Sequence, residues 1–153
     1  MQLRKTIDNV LAKALVILMS IMVLNVLWQV ASRFLLGSPS SFTDELARYL
    51  MIWVGILGAA YVSGRNMHVA IDVLPNRLSG GAQKKLMLLV RLLIILFCLV
   101  ALVIGGSRLV YITYVLGQNS PALQVPLAVV YSVIPISGIL IIYYKISDIL
   151  KKA

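Results

Sequence analysis

Ionisable chemistry is what this chain has least of. One cysteine and one histidine leave almost nothing from which to build a zinc, haem or thiol site. Only 12% of the 153 residues are charged and five are acidic, against about a quarter charged in a soluble domain. Disorder, disulfide scaffolds and collagen-like repeats are excluded by the same composition. What is present is apolar: 61% hydrophobic residues and a mean hydropathy of +0.98. Fourteen basic residues give a net charge of +9, but they sit in small clusters between long apolar runs instead of along one stripe. That pattern points to a membrane with the charge on its cytoplasmic side, and away from nucleic acid.

A membrane-crossing helix needs about 20 mostly apolar residues to cross about 30 Å of hydrocarbon. Four stretches qualify, approximately 14–35, 43–64, 84–116 and 126–145, within a single membrane domain, 1–153. The third, if wholly helical from Leu86 to Leu116, is about 46 Å long, and tilt or projection beyond the lipid absorbs the excess. A cleaved signal is disfavoured at the first, because the run after Lys13 is longer than a usual signal core. The expected class is therefore an all-α membrane protein with four transmembrane helices. With both termini inside, eleven basic residues face the cytoplasm and three (Arg33, Arg48 and Arg108) face out, which selects the N-in/C-in orientation. Trp28, Tyr49, Trp53, Tyr111, Tyr114 and Tyr131 then supply outer aromatic anchors, and Tyr61, Tyr143 and Tyr144 inner ones.

Three groups of residues stand out between and within the spans. At the outer turn, Ser41 with Asp44 resembles a capping box, and Asp44 and Glu45 suit the positive end of a helix dipole. Arg48 lies one turn on and Arg33 is within reach across the hairpin. This cluster is either a capped helix start with solvated charges or a device that fixes the hairpin or docks a partner. On the inner side, Met67, Ala70, Ile71, Leu74 and Leu78 recur at helical spacing while His68 and Asp72 share the other face, a short amphipathic helix over approximately 66–78 lying in the interface. Arg65, Arg77, Lys84 and Lys85 would meet phospholipid headgroups there. Within the spans, Asn25 and Gln29 form a polar stripe, and Gly55 and Ala59 a small-residue face near Trp53. These serve packing inside a four-helix bundle or contact with a partner.

Ion-driven transport usually needs ionisable groups at membrane depth. The reading above puts none in the middle of a span, and finds no nucleophile–base pair, phosphate loop or metal motif. Neither an enzyme nor a self-sufficient transporter is expected, and no cofactor. A homo-oligomeric small channel or exporter is the alternative, since Gly55 and Ala59 could also serve self-association.

Arg33-Phe34, the run Ser41-Phe42-Thr43-Asp44-Glu45-Leu46-Ala47-Arg48-Tyr49-Leu50, Trp53 and Gly58-Ala59 form an ordered set. It continues through Arg65-Asn66-Met67-His68-Val69-Ala70-Ile71-Asp72-Val73-Leu74, Ser120-Pro121-Ala122-Leu123, Pro126, Tyr131, Pro135 and Gly138. Together they resemble the small membrane (Q) subunit of tripartite ATP-independent periplasmic (TRAP) transporters. Phe42 stands where that family usually has Trp, and Asp44 where it has Glu, each keeping its chemical type. The resemblance implies a non-catalytic subunit in the bacterial inner membrane that scaffolds a large membrane subunit. That partner would perform sodium-coupled uptake of an organic acid, of the sialic acid or dicarboxylate class, delivered by a periplasmic binding protein.

Overall fold

The computed structural model describes residues 2–35, 37, 41–65 and 81–150. Six helical elements follow one another: α1 (Gln2–Leu35), α2 (Ser41–Gly64), α3 (Gly81–Phe97), α4 (Gly106–Val115), α5 (Leu127–Tyr131) and α6 (Val133–Leu150). A π-helical segment, Cys98–Gly105, joins α3 to α4 without interrupting the run. Four of the resulting helical stretches are long and apolar enough to cross a membrane: Arg4–Leu35, Ser41–Gly64, Lys85–Val115 and Leu127–Leu150. The protein is thus an all-α chain with four membrane-crossing helices. The interfacial helix expected at 66–78, with His68, Asp72 and Arg77, lies outside the described residues.

The helices run up and down, so one end of the molecule holds the start of α1 and the close of α6. The other holds the close of α1, the start of α2 and the connection between α4 and α5. We call these the terminal end and the hairpin end. Along α1 a seam shielded from solvent runs through Arg4, Asp8, Leu11, Leu15, Leu18, Met22, Asn25, Gln29 and Ser32, alternately four and three apart, with Ile7, Ala12, Ala14 and Ala31 beside it. Along α2, Thr43, Leu50, Leu57 and Gly64 are buried at seven-residue intervals. A repeat of 3.5 residues keeps two helices side by side along their length, as in an antiparallel coiled coil. The α1 seam is polar at both ends and apolar in the middle.

Packing runs in a row instead of closing into the bundle that the composition suggested. α1 lies along α2, α2 along α6, and α6 along the third membrane-crossing stretch, while α1 and that stretch form no packed pair among the described residues. One apolar cluster joins the first three helices through Leu11, Leu57, Val133 and Tyr144. A second joins α2, α6 and the π segment through Ala60, Ile141 and Cys98. An open row buries little, and side chains such as Val16, Leu24, Leu27, Leu93, Phe97 and Val100 are more than half exposed. In water this surface would be untenable; lipid or another protein must cover it.

The third and fourth stretches meet through glycine. A Cβ on Gly106 would lie 2.8 Å from Ile134 and 3.1 Å from Pro135, and one on Gly138 2.8 Å from Leu102. By contrast, a Cβ on Gly55 meets nothing within 4 Å, and Gly55 and Ala59 are exposed. The small residues that bring helices together inside the chain are therefore Gly106 and Gly138, and the Gly55/Ala59 face points outward. The fourth stretch breaks at Ser132, between α5 and α6. Pro135, having no N–H, withdraws the bond that would close the preceding turn.

Candidate functional site

Polar side chains gather in two places, one at each end of the row. At the hairpin end the anchor is Glu45, in the first turns of α2. One carboxylate oxygen accepts from the backbone N–H groups of Ala122 and Leu123, at 2.8 and 2.9 Å, and the other from the Tyr49 hydroxyl at 2.9 Å. The Ser120–Leu123 turn presents these N–H groups because its backbone folds on itself. Gln124 N–H donates to the Ser120 carbonyl at 3.1 Å, Leu123 N–H to Ser120 Oγ at 3.2 Å, and Ser120 is fully buried. Gln124 and Gly117 hold positive φ values of 55° and 58°, and Asn119 pairs with Pro126 across the connection. A carboxylate meeting two backbone donors makes charge-assisted bonds. Glu45 thus ties the α4–α5 connection to the start of α2.

The polar stripe of α1 completes this end. Asn25, buried, donates to the Thr43 carbonyl at 2.8 Å, and Gln29 to Asp44 at 3.4 Å. Asp44 also pairs with Arg48 one turn along the same helix, and both are exposed. Arg33 is exposed, and no bond links it to these groups among the described residues. The four-residue cluster expected at the hairpin therefore separates into three parts: Glu45 as a tie between segments, Asp44 and Arg48 as a surface pair, and Arg33 as an exposed cation with no partner among the described residues. Trp53, expected to pack or face a partner, donates its indole N–H to the Val130 carbonyl at 3.0 Å, beside the Ser132 break.

The terminal end was not foreseen as a site. Asp148, one turn beyond the Lys145 at which the fourth span was expected to stop, is buried in α6. Its Oδ1 pairs with Arg4 of α1 at 2.6 Å, and its backbone carbonyl accepts from Arg91 of α3 at 3.2 Å. Arg4 also donates to the Gly64 carbonyl at the close of α2, and its guanidinium lies 5.5 Å from the centre of the Tyr144 ring. The Tyr144 hydroxyl donates to Asp8 at 2.5 Å, and Lys145 donates to the Ser63 carbonyl at 3.3 Å. Helices α1, α2, α3 and α6 all contribute. Gly64 is required by this arrangement: a Cβ there would lie 2.7 Å from Tyr144 Cζ. The only sequence signal was the pairing of acidic and basic residues at helix ends, which does not say which end meets which.

Of the expected inner-leaflet contacts, Arg65 is exposed with its guanidinium 4.9 Å from the Tyr61 ring centre, and Lys85 is exposed at the start of its stretch. The Lys84 side chain lies outside what is described. Arg108 lies seven residues, about 10 Å, inside the hairpin end of Lys85–Val115 and is exposed. No group of His, Cys, Asp or Glu that could hold a metal occurs among the described residues.

This geometry is that of a row of membrane-crossing helices tied at both ends, and comparisons with known proteins give its family. The family model for the DctQ component of tripartite ATP-independent periplasmic transporters matches residues 22–153. A relative in Haemophilus influenzae that carries the name TRAP transporter small permease protein is 33% identical over 135 residues, 87% of this chain and 79% of its own length. The sialic acid TRAP transporter small permease protein of Vibrio cholerae is 31% identical over 103 residues, 67% of this chain and 60% of its own. The ectoine TRAP transporter small permease protein of Halomonas elongata is 28% identical over 155 residues, 94% of this chain and 78% of its own. The chain belongs to the DctQ family, the small permease component of tripartite ATP-independent periplasmic transporters.

Proposed function

We propose that this chain is a non-catalytic scaffold, holding a large membrane subunit in place while that subunit takes up an organic acid with sodium. The observation that carries the reading is the placement of polar groups. Glu45, Asn25 and Gln29 at one end, and Arg4, Asp8, Lys145 and Asp148 at the other, are bonded to other parts of the same chain. Groups so engaged stiffen the row and are not at liberty to shuttle an ion. The flanks between them are apolar and exposed, as a lipid- and partner-facing surface requires.

A subunit that moves substrate across the bilayer needs a fixed body to push against, and a flat row of helices tied at both ends supplies one. The basic excess at the terminal end favours the N-in/C-in orientation, with Arg65 and Lys85 at inner-leaflet phospholipid. Asp44, Arg48 and the exposed Arg33 then face the periplasm, on the side from which a binding protein arrives. The cargo is of the sialic acid or dicarboxylate class. Relatives whose names specify sialic acid and ectoine resemble this chain to similar degrees, which supports placing substrate choice in the partner subunits.

Reconstitution tests this. The purified chain in proteoliposomes is expected to show no sodium-driven uptake of sialic acid or succinate, and uptake appears only with the large subunit and binding protein added. Uptake by the chain alone would overturn the scaffold reading in favour of a homo-oligomeric carrier. Orientation is checked with cysteines placed at Gln2 and Gly37 and a membrane-impermeant maleimide on intact spheroplasts, which should label only position 37.

A further inference from the structure

Arg108 has no role in either polar cluster, and its position is unusual. It is exposed, and among the described residues it takes part in no hydrogen bond or ion pair. Its depth follows from its neighbours. Gly106, two residues earlier, packs on Ile134 and Pro135, one turn from Val130, whose carbonyl receives the Trp53 indole. Pro135 is ten residues along α6 from Lys145, and Arg108 itself is seven residues from the hairpin end of Lys85–Val115. Arg108 thus lies about 18 Å from the terminal-end cluster and about 10 Å inside the hairpin end of its stretch. A bare guanidinium at that depth must find an anionic or carbonyl partner.

Beside it is an open groove of about 420 Å³ between the third and fourth stretches, lined by Val110, Tyr111, Tyr114, Ala128, Pro135 and Ile136 among others. Tyr111, one helical turn from Arg108, is 68% exposed, and Ile104 and Ile112 on the adjoining turns are exposed as well. A lipid phosphate is the less fitting occupant. Side chains on a helix lean toward its N-terminus, which for α4 is the terminal end, away from the nearer headgroups. A protein helix can present its acceptor at any depth.

We propose that the α4 flank and this groove receive a transmembrane helix of the large membrane subunit, and that this helix carries a carboxylate at the depth of Arg108. The inference rests on the scaffold reading and says which face makes the assembly. Charge supplies the register and the groove the apolar contact, a division common at membrane-helix interfaces.

The test uses the chain co-expressed with its large subunit and purified in mild detergent through a tag on the chain. Arg108→Glu should lower co-purification of the large subunit by about tenfold or more, and Arg108→Lys by much less. The thermal stability of the variant chains purified alone should stay at the wild-type level, since Arg108 makes no bond among the described residues. A photo-crosslinking p-benzoylphenylalanine at Tyr111 should capture the large subunit, and one at exposed Leu27 on α1 should not. Wild-type co-purification with an undiminished Arg108→Glu complex would overturn this inference alone. Crosslinking from position 111 only to lipid, or only to a second copy of the chain, would do the same. Failure of the wild-type chain to co-purify would overturn the scaffold reading, and the inference with it.

Discussion

At the scale of single residues, the informative positions are those where one atom decides whether two segments can meet. Gly64 has the Tyr144 ring against it, so Gly64→Ala inserts a methyl where none fits. Overpacking of this kind costs about 1–3 kcal/mol. A lowered melting temperature in detergent is expected, whereas Gly55→Ala, with open space around it, should leave the melting temperature unchanged or slightly raised. Equal effects at both positions would contradict the packing described. Glu45 acts differently, through charge. In Glu45→Gln the N–H groups of Ala122 and Leu123 lose a charged acceptor, and their hydrogen exchange should quicken by about tenfold. Amides in the π segment serve as the control and should not change.

At the scale of elements, the hydrophobic runs placed the membrane-crossing stretches, but their ends and breaks answered to other forces. α1 was expected to become embedded after Lys13, yet it is helical from Gln2, because Arg4 and Asp8 have partners on α6 that make an early start worthwhile. α6 continues past Lys145 for the same reason. A proline inside a helix loosens it, and the break of the fourth stretch at Ser132 lies one turn before Pro135. In Pro135→Ala the missing N–H returns and the helix should straighten. Spin labels at exposed Val129 and Ile139, ten residues apart, should then report a separation approaching about 15 Å, longer than in the wild type. The π segment had no sequence signal: a run of Leu, Val, Ile and Ala reads alike in either helical form. Gly106 and Gly138 are small residues among many in the spans, and only their opposite numbers reveal that they are the contact.

At the scale of the whole molecule, the row is held by apolar seams along its length and by polar ties at its ends. The Arg4–Asp148 pair bridges the first and last helices across 144 positions, the longest span of any side-chain bond among the described residues. Asp148 is almost wholly buried, so removing its charge strands Arg4 in a poorly solvated place. Breaking a buried pair from one side costs about 3–5 kcal/mol. Asp148→Asn should therefore lower thermal stability in detergent strongly, and Arg4→Asp with Asp148→Arg should recover part of the loss. A double-mutant cycle measures the coupling. Additive effects would mean that the pair is incidental to the assembly of the row.

Composition and span count already place this chain in a membrane, and the ordered residues around Glu45, Trp53 and Ser120–Pro121 already resemble the TRAP small subunit. These are properties of local pattern: a run of about 20 apolar residues cannot be satisfied in water, and a motif is a matter of order along the chain. Which helix lies beside which is not local. The row, the capture of the 122–123 amides by Glu45 and the Arg4–Asp148 tie all depend on residues far apart in sequence. In a chain so uniformly apolar, hydrophobicity cannot choose among helix neighbours, because each face is as greasy as the next. The choice falls to the few polar side chains and the few glycines, and only the tertiary structure brings those together.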